Sequence, residues 1–263
     1  GASILARMNI FIHDKKYFYI ECDNSLSNPH FLEKENILKK FDIVVSNPPF
    51  SVGNWDYEMA QNDKFERFSY GQPPKTKGNF AYVLHMLKSL NKDSGRMAVV
   101  VPDAVLYRGA SEAIIRKNII EENLLDAVIG LPKKLFYDTV NSATLLIFRK
   151  QKADNNVLFV DASNDYAKRD KHHYLTDKNI HKIVATSKNR EYIKSYAHLA
   201  TYDEINKNEF NLNISRYVNS SGEEDRIDFN LIRQERDEIK MKLEELAIQM
   251  DACLNNLGFP SKG

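Results

Sequence analysis

Between Phe41 and Val160, short apolar runs alternate with amphipathic helical stretches, and this rhythm restricts the chain to one kind of architecture. Phe41–Ser46 reads Phe-Asp-Ile-Val-Val-Ser, and Met97–Val101, Leu124–Ile129, Ala143–Phe148 and Val157–Val160 are runs of the same type. β-branched runs of this length predict strands buried within a sheet. Between them, Phe80–Leu90 sets Phe80, Val83, Leu84, Leu87 and Leu90 on one helical face, and Ser111–Glu122 predicts a second helix. Strands alternating with helices mean an α/β sheet covered on both faces. Ligands of such sheets bind at the carboxyl ends of the strands, and Asp23, Asn47 and Asp103 stand at predicted ends.

The flanking segments are read by the same rules. Ile4–Ile12 predicts a helix with Leu5, Met8 and Ile12 at helical spacing. Tyr17–Cys22 predicts a strand closed by the turn residues Asp23-Asn24-Ser25. Asn28–Lys40 is a polar connection, and Ser51–Lys77 a long loop carrying Trp55 and Pro73-Pro74. Lys168–His173 is basic and polar, with His172 and His173 expected in solvent. Leu175–Val184 is helical, and Glu204–Tyr217 is Asn-rich and turn-like. After Ser220-Ser221-Gly222 a long helix is predicted from Asp228 to Asn256. Its Ile239, Leu243, Leu246, Met250, Cys253 and Leu257 recur at alternating steps of four and three, the spacing of a coiled-coil seam. Arg236 interrupts that seam, and Ile232 extends it backward.

Composition removes several function classes. The 37 Lys+Arg against 36 Asp+Glu leave a net charge of +1, so no basic nucleic-acid arm or acidic tail dominates. Ten glycines in 263 residues is sparse, and no Gly-x-Gly or Gly-x-x-x-x-Gly-Lys-Ser/Thr occurs. A glycine-loop nucleotide site is therefore not visible. Cys22 and Cys253 are far apart and read as small core residues. They form neither a disulfide framework nor a metal pair, which makes a reducing cytoplasm the default. No metal site is expected, no apolar run approaches a membrane span, and no signal peptide is apparent.

The sharpest chemical feature is Asn47-Pro48-Pro49-Phe50, set directly after a predicted strand. The prolines cannot extend a central strand and donate no hydrogen bond, so nearby carbonyls stay free as acceptors. The Asn47 side-chain oxygen and the Pro48 carbonyl can together accept both hydrogens of a planar amino group. That draws the nitrogen toward tetrahedral geometry and localises its lone pair for attack on an electrophile. Phe50 offers a ring on which a base can stack, and a base in a duplex must be flipped out to reach it. Arg108, Lys133 and Lys134 follow strand ends near this cleft, where phosphate contact and ordinary surface charge are both open readings. His85 reads as a helix-packing histidine, and Trp55–Tyr70 either stacks on a base or covers the cleft.

The four residues resemble the [DNS]-P-P-[FYW] motif of S-adenosylmethionine-dependent amino-methyltransferases. The ordered set is similar to the modification (M) subunit of type I restriction–modification systems. It comprises Leu5-Ala6-Arg7-Met8-Asn9, Asn47–Phe50, Phe80 with His85 and Leu87, and Val101-Pro102. It continues with Glu112 and Ile115-Arg116-Lys117, Val128–Pro132 with Leu135-Phe136, and Asn211–Tyr217. The resemblance implies a Rossmann-like methyltransferase sheet with a C-terminal helical extension, transferring a methyl group to adenine N6 in double-stranded DNA. It implies that Asn47, Pro48, Pro49 and Phe50 hold the adenine, and that Asp23 faces the cofactor adenosine, a simple turn cap being the alternative. Partners implied are a specificity (S) subunit and a restriction (R) subunit. The C-terminal seam through Ile239, Leu243, Leu246, Met250 and Leu257 packs on the S subunit or on its own domain, the first being favoured.

The family's first two strands, with their glycine loop and ribose-binding acid, have no counterpart here. The chain therefore looks like the C-terminal part of such a subunit, with the sheet open between Tyr17–Cys22 and Phe41–Ser46, and with weak or absent cofactor binding in a calorimetric titration. The expected divisions are a catalytic lobe at 1–164, an irregular extension at 165–221 and a partner-binding helix at 222–263. Two rivals remain: a catalytically silent module that only binds its partner, and an RNA or protein amino-methyltransferase using the same motif.

Overall fold

Runs of Val, Ile and Leu reach strand geometry only where a neighbouring strand can take their backbone hydrogen bonds, and the computed structural model shows which runs find one. It describes residues 2–50, 53, 55–136 and 142–219, with residues 236, 240–244, 246 and 250 beyond them. The chain divides into two units, Gly1–Ser220 and Ser221–Gly263.

The first unit begins with helix α1 (Ala2–Ile12), the small hairpin β1–β2 (Leu32–Lys34 and Ile37–Leu38) and strand β3 (Ile43–Ser46). The short α2 (Tyr57–Ala60), α3 (Asn79–Lys88), β4 (Arg96–Pro102), α4 (Ser111–Glu121) and β5 (Leu125–Gly130) follow. Next come β6 (Ala143–Arg149), β7 (Val157–Asp161), the hairpin β8–β9 (Ala167–Arg169 and His172–Tyr174) and α5 (Asp177–Asn189). β10 (Ala197–Ala200), α6 (Tyr202–Lys207) and a short 3-10 turn (Ile214–Arg216) complete the first unit. Helix α5 starts at a reciprocal cap in which the Thr176 hydroxyl accepts from the Asn179 N–H and the Asn179 side-chain oxygen accepts from the Thr176 N–H.

The main sheet has six strands in the order β10-β7-β5-β6-β4-β3. β3 runs parallel to β4, and β5 parallel to β7. β6 lies antiparallel between β4 and β5, so β3, β4, β5 and β7 all point the same way. Their carboxyl ends share one edge, where Asn47, Asp103, Leu131 and Ala162 follow.

Successive side chains of a strand face opposite sides, and the core divides accordingly. On one face Val128, Phe148, Val157 and Phe159 pack with Phe80, Val83, Leu84 and Leu87 of α3 and Ile115 and Ile119 of α4. On the other, Ala127, Ile129, Leu158 and Val160 pack with Ile183 of α5 and Tyr196. The stretch 165–221, expected as an extension, contributes β10 to the main sheet. It also returns across the end of β5: a Cβ on Gly130 would lie 2.8 Å from Ile214 Cδ1, so the Ile214 side chain packs closely over this glycine. Phe159 stacks on Tyr217 of the same returning stretch, with centroids 3.8 Å apart.

Several expectations are corrected. Tyr17–Cys22 forms no strand; Tyr17, Tyr19 and Cys22 are exposed, because no neighbouring strand takes their hydrogen bonds among the described residues. Cys22 is therefore not a core residue. Phe41–Ser46 yields a strand over Ile43–Ser46, but among the described residues it has a neighbour on one side only, and Ile43 and Val45 are 61% and 70% exposed. It is an edge strand, not a buried one. The expected central gap does not occur among the described residues, where the six strands are contiguous and β3 lies at one end of the order. The face of α1 carrying Leu5, Met8 and Ile12 is likewise exposed. Lys168–His173, read as merely polar, is the β8–β9 hairpin, and His172 and His173 are half-buried.

In the second unit residues 240–244 are helical, and Met241, Leu243, Leu246 and Met250 are exposed. Ile239, Cys253 and Leu257 of the predicted seam lie outside the described residues. Among the described residues no helix is long and apolar enough to cross a membrane.

Candidate functional site

Asn47 is delivered to the carboxyl edge because β3 ends where Pro48 and Pro49 begin. Asn47 is exposed, Pro48 is buried beneath it, and Phe50 is half-buried. The Phe50 ring meets Phe136, in the segment after β5, edge to face at 5.6 Å. The motif backbone is fixed from below. The Asn79 side-chain amide, at the start of α3 and itself buried, donates to the Phe50 carbonyl at 3.1 Å. Arg108 donates to the Asn79 side-chain oxygen at 3.3 Å and to Glu112 at 3.4 Å. Burial raises the Glu112 pKa, with the Arg108 charge and hydrogen bond opposing it. Arg108 is thus committed to Asn79 and Glu112 rather than presented freely to phosphate.

The loop after the motif is built around Trp55. Its indole N–H donates to the Pro74 carbonyl at 2.9 Å, and Gly78 fits against its ring so closely that a Cβ there would lie 2.5 Å from Trp55 Cγ. Trp55 is buried and packs with Leu26, Ala60 and Ala81. It covers and does not stack on a ligand. Below it, Arg67 ties the loop to α3 and to the Asp23 turn, donating to Asp63 and to the Leu26 carbonyl at 2.7 Å each. Arg67 Nη1 also lies 3.3 Å from His85 Nδ1.

His85 is a packing histidine held neutral. Burial pushes its pKa down to about 4, helped by the Arg67 charge and opposed by Asp63. The folded value lies below the unfolded value of about 6.5. The stability carried by neutral His85 is therefore complete above pH 6.5 and is lost as pH falls toward 4. At pH 5 the loss is on the order of 2 kcal/mol relative to pH 7. Urea unfolding at the two pH values checks this: His85→Gln should flatten the difference, and an unchanged difference refutes it.

Asp23 does not present a free carboxylate. Its oxygens accept from the Asn24 N–H at 2.7 Å and from Asn28 at 2.6 Å, and one lies 2.9 Å from His30 Nε2. The His30 hydrogen bond, followed by those of Asn24 and Asn28, holds its pKa at about 2. Asp23 lines a cavity of about 170 Å³ with His30, Phe31, Phe41 and His85. With both carboxylate oxygens of Asp23 engaged, the described residues do not by themselves compose a nucleoside cofactor site. Among the described residues no group of three or more His, Cys, Asp and Glu side chains is placed to hold a metal.

The sequence alone missed Asn79, Asp63 and Arg67. Asn79 immediately precedes Phe80, which carried part of the motif match, but nothing in its spacing announces a contact 29 residues away with Phe50.

A family profile described as N-6 DNA Methylase matches residues 1–226. The chain belongs to the N-6 DNA methylase family. It is 30% identical over 263 residues to the type I restriction enzyme MpnII methylase subunit of Mycoplasma pneumoniae, covering 96% of this chain and 48% of that protein. It is 32% identical over 258 residues to the MjaVII methylase subunit of Methanocaldococcus jannaschii, covering 93% and 43%. The crystal structure of the type I restriction-modification methyltransferase subunit from Streptococcus thermophilus superposes with a TM-score of 0.75 at 37% identity, over 83% of this chain and 46% of that one. The chain thus spans about half the length of the methylase subunits it matches.

Proposed function

We infer that this chain is the part of a type I DNA adenine-N6 methylase subunit that holds the target base. The observation carrying this reading is Asn47-Pro48-Pro49-Phe50 at the carboxyl end of β3, in a chain of the N-6 DNA methylase family. Two acceptors, the Asn47 side-chain oxygen and the Pro48 carbonyl, take the hydrogens of the flipped adenine's amino group. Its lone pair then points away from the ring and toward a methyl donor, S-adenosylmethionine. Phe50, steadied by Phe136 and by Asn79 below it, gives the base an aromatic face. Further strands pair on the exposed β3 edge to complete the sheet and the cofactor side.

The test is labelled methyl transfer by the chain assembled with the remainder of its methylase and a specificity subunit. Label on adenine of duplex DNA is expected. Label on RNA guanine or on a glutamine side chain instead overturns the DNA reading.

In the same reading the C-terminal helix docks on the specificity subunit, and the restriction subunit joins the full complex. Leu243, Leu246 and Met250 are exposed on this chain, as a seam awaiting a partner helix requires. Leu243→Asp with Leu246→Asp should abolish co-purification with the specificity subunit while leaving the thermal transition of the first unit in place. Retained co-purification counts against the seam.

A further inference from the structure

The β8–β9 hairpin is the element that the base-holding site leaves unexplained. Its sequence, Ala-Lys-Arg-Asp-Lys-His-His-Tyr over Ala167–Tyr174, concentrates cations in a chain whose net charge is only +1. Lys168, Arg169 and Lys171 are exposed, as are Lys133 and Lys134 after β5. Among the described residues none of the five meets a carboxylate. The single acid within the two stretches is Asp170, and Asp165 just before the hairpin is bound by Lys182 and Tyr196.

Topology places this charge on the same edge of the sheet as the motif, with β5, β6 and β4 between their strands. The hairpin leaves β7 at the same carboxyl edge to which β3 delivers Asn47. It is fastened there: the His173 N–H donates to the Lys134 carbonyl at 3.1 Å, and the His173 ring stacks on Tyr166 with centroids 3.9 Å apart. Two residues beyond Lys134, Phe136 meets the Phe50 ring at 5.6 Å. A continuous line of contacts thus runs from the basic hairpin through Lys134 and Phe136 to the aromatic residue of the motif. A hairpin pinned at both its backbone and its ring stack holds its side chains in a fixed place, which a solvated lysine run does not.

We propose that the β8–β9 hairpin, together with Lys133 and Lys134, is a clamp for the phosphate backbone of duplex DNA flanking the extruded base. The proposal rests on the base-holding reading and deepens it by naming what steadies the DNA around the site. Phosphate contacts fix register and orientation and carry no sequence information. This suits a chain whose specificity is supplied by a partner.

The experiment is fluorescence anisotropy of the chain with a labelled 30-base-pair duplex of arbitrary sequence, titrated from low to moderate salt. Each phosphate contact contributes about 0.9 to the slope of log affinity against log salt. Lys168→Gln/Arg169→Gln/Lys171→Gln should reduce that slope by roughly 2 to 3 with the thermal transition unchanged. Removing three exposed charges elsewhere, Lys92→Gln/Lys178→Gln/Lys188→Gln, should leave it unchanged. Duplex binding whose slope is the same in the hairpin variant, or equally reduced in the control variant, overturns the clamp and leaves the base-holding reading intact. Absence of any duplex binding at low salt overturns the DNA reading and the clamp together.

Discussion

Replacing Asn47 with alanine should lower methyl transfer to adenine by on the order of 10²–10³-fold in kcat, measured in the assembled methylase. That is the scale on which loss of one preorganised polar group at a reacting centre is felt. Asn47 is exposed and β3 hydrogen-bonds through Ile43–Ser46, so the fold should survive, with the thermal transition moving by a degree or two at most. Asn47→Asp keeps an acceptor oxygen but adds a second and a charge, and should fall between alanine and wild type. Binding of target DNA should be little affected, because phosphate contacts supply most of the affinity. The pattern expected is therefore a fall in kcat with KM for DNA nearly constant. Asn47→Ala activity within about fivefold of wild type would remove the base-holding role from the motif.

The motif was legible because its chemistry is covalently contiguous: four adjacent residues carry the acceptors, the stiffness and the ring. The central strands were legible for a related reason, since Leu125–Gly130 is buried at every position and its sequence is apolar nearly throughout. Tyr17–Cys22 has equal β propensity yet forms no strand, and a strand is a relation between segments that propensity alone does not establish. β10 was invisible from the other side. Ala197-His198-Leu199-Ala200 has no β-branched residue, and it is a strand because β7 offers it an edge. Asn79, Arg108 and Glu112 could not be assigned to the motif, because the contact of Asn79 with Phe50 joins residues 29 apart through a single hydrogen bond. His172 and His173 read as solvated for want of any sequence signal that the His173 N–H binds the Lys134 carbonyl.

Arg67→Met should be the most destabilising single change on the motif side of the molecule. Its guanidinium is fully buried, Asp63 nearly so, and the two lie 2.7 Å apart. The same side chain serves the Leu26 carbonyl and lies over the rings of Phe65 and Phe68. Methionine fills a similar volume but strands a buried carboxylate, a loss of about 3–5 kcal/mol, or roughly 10 °C in the thermal midpoint at this chain size. The pH dependence separates this cause from mere packing. In the native chain burial pushes the Asp63 pKa up, but the hydrogen bonds and charge of Arg67 outweigh it and the net shift is downward. The stability it contributes is thus present above the unfolded value of about 3.9 and lost only as pH falls through the lower folded value. With the guanidinium gone, the backbone N–H groups at positions 65 and 67 still donate to Asp63, but burial is less opposed and the folded pKa rises, so the stability Asp63 contributes at neutral pH shrinks. The deficit of Arg67→Met should therefore be smaller at pH 4 than at pH 7, whereas a packing defect would be the same at both. Protonation of His85 near pH 4 acts in the same direction, since the neighbouring cation that opposed it has been removed. Asp63→Leu combined with Arg67→Met discards both charges and should recover much of the loss. A double variant no more stable than Arg67→Met would mean that the Leu26 carbonyl and the aromatic stacking, not the ion pair, are what Arg67 is there to hold.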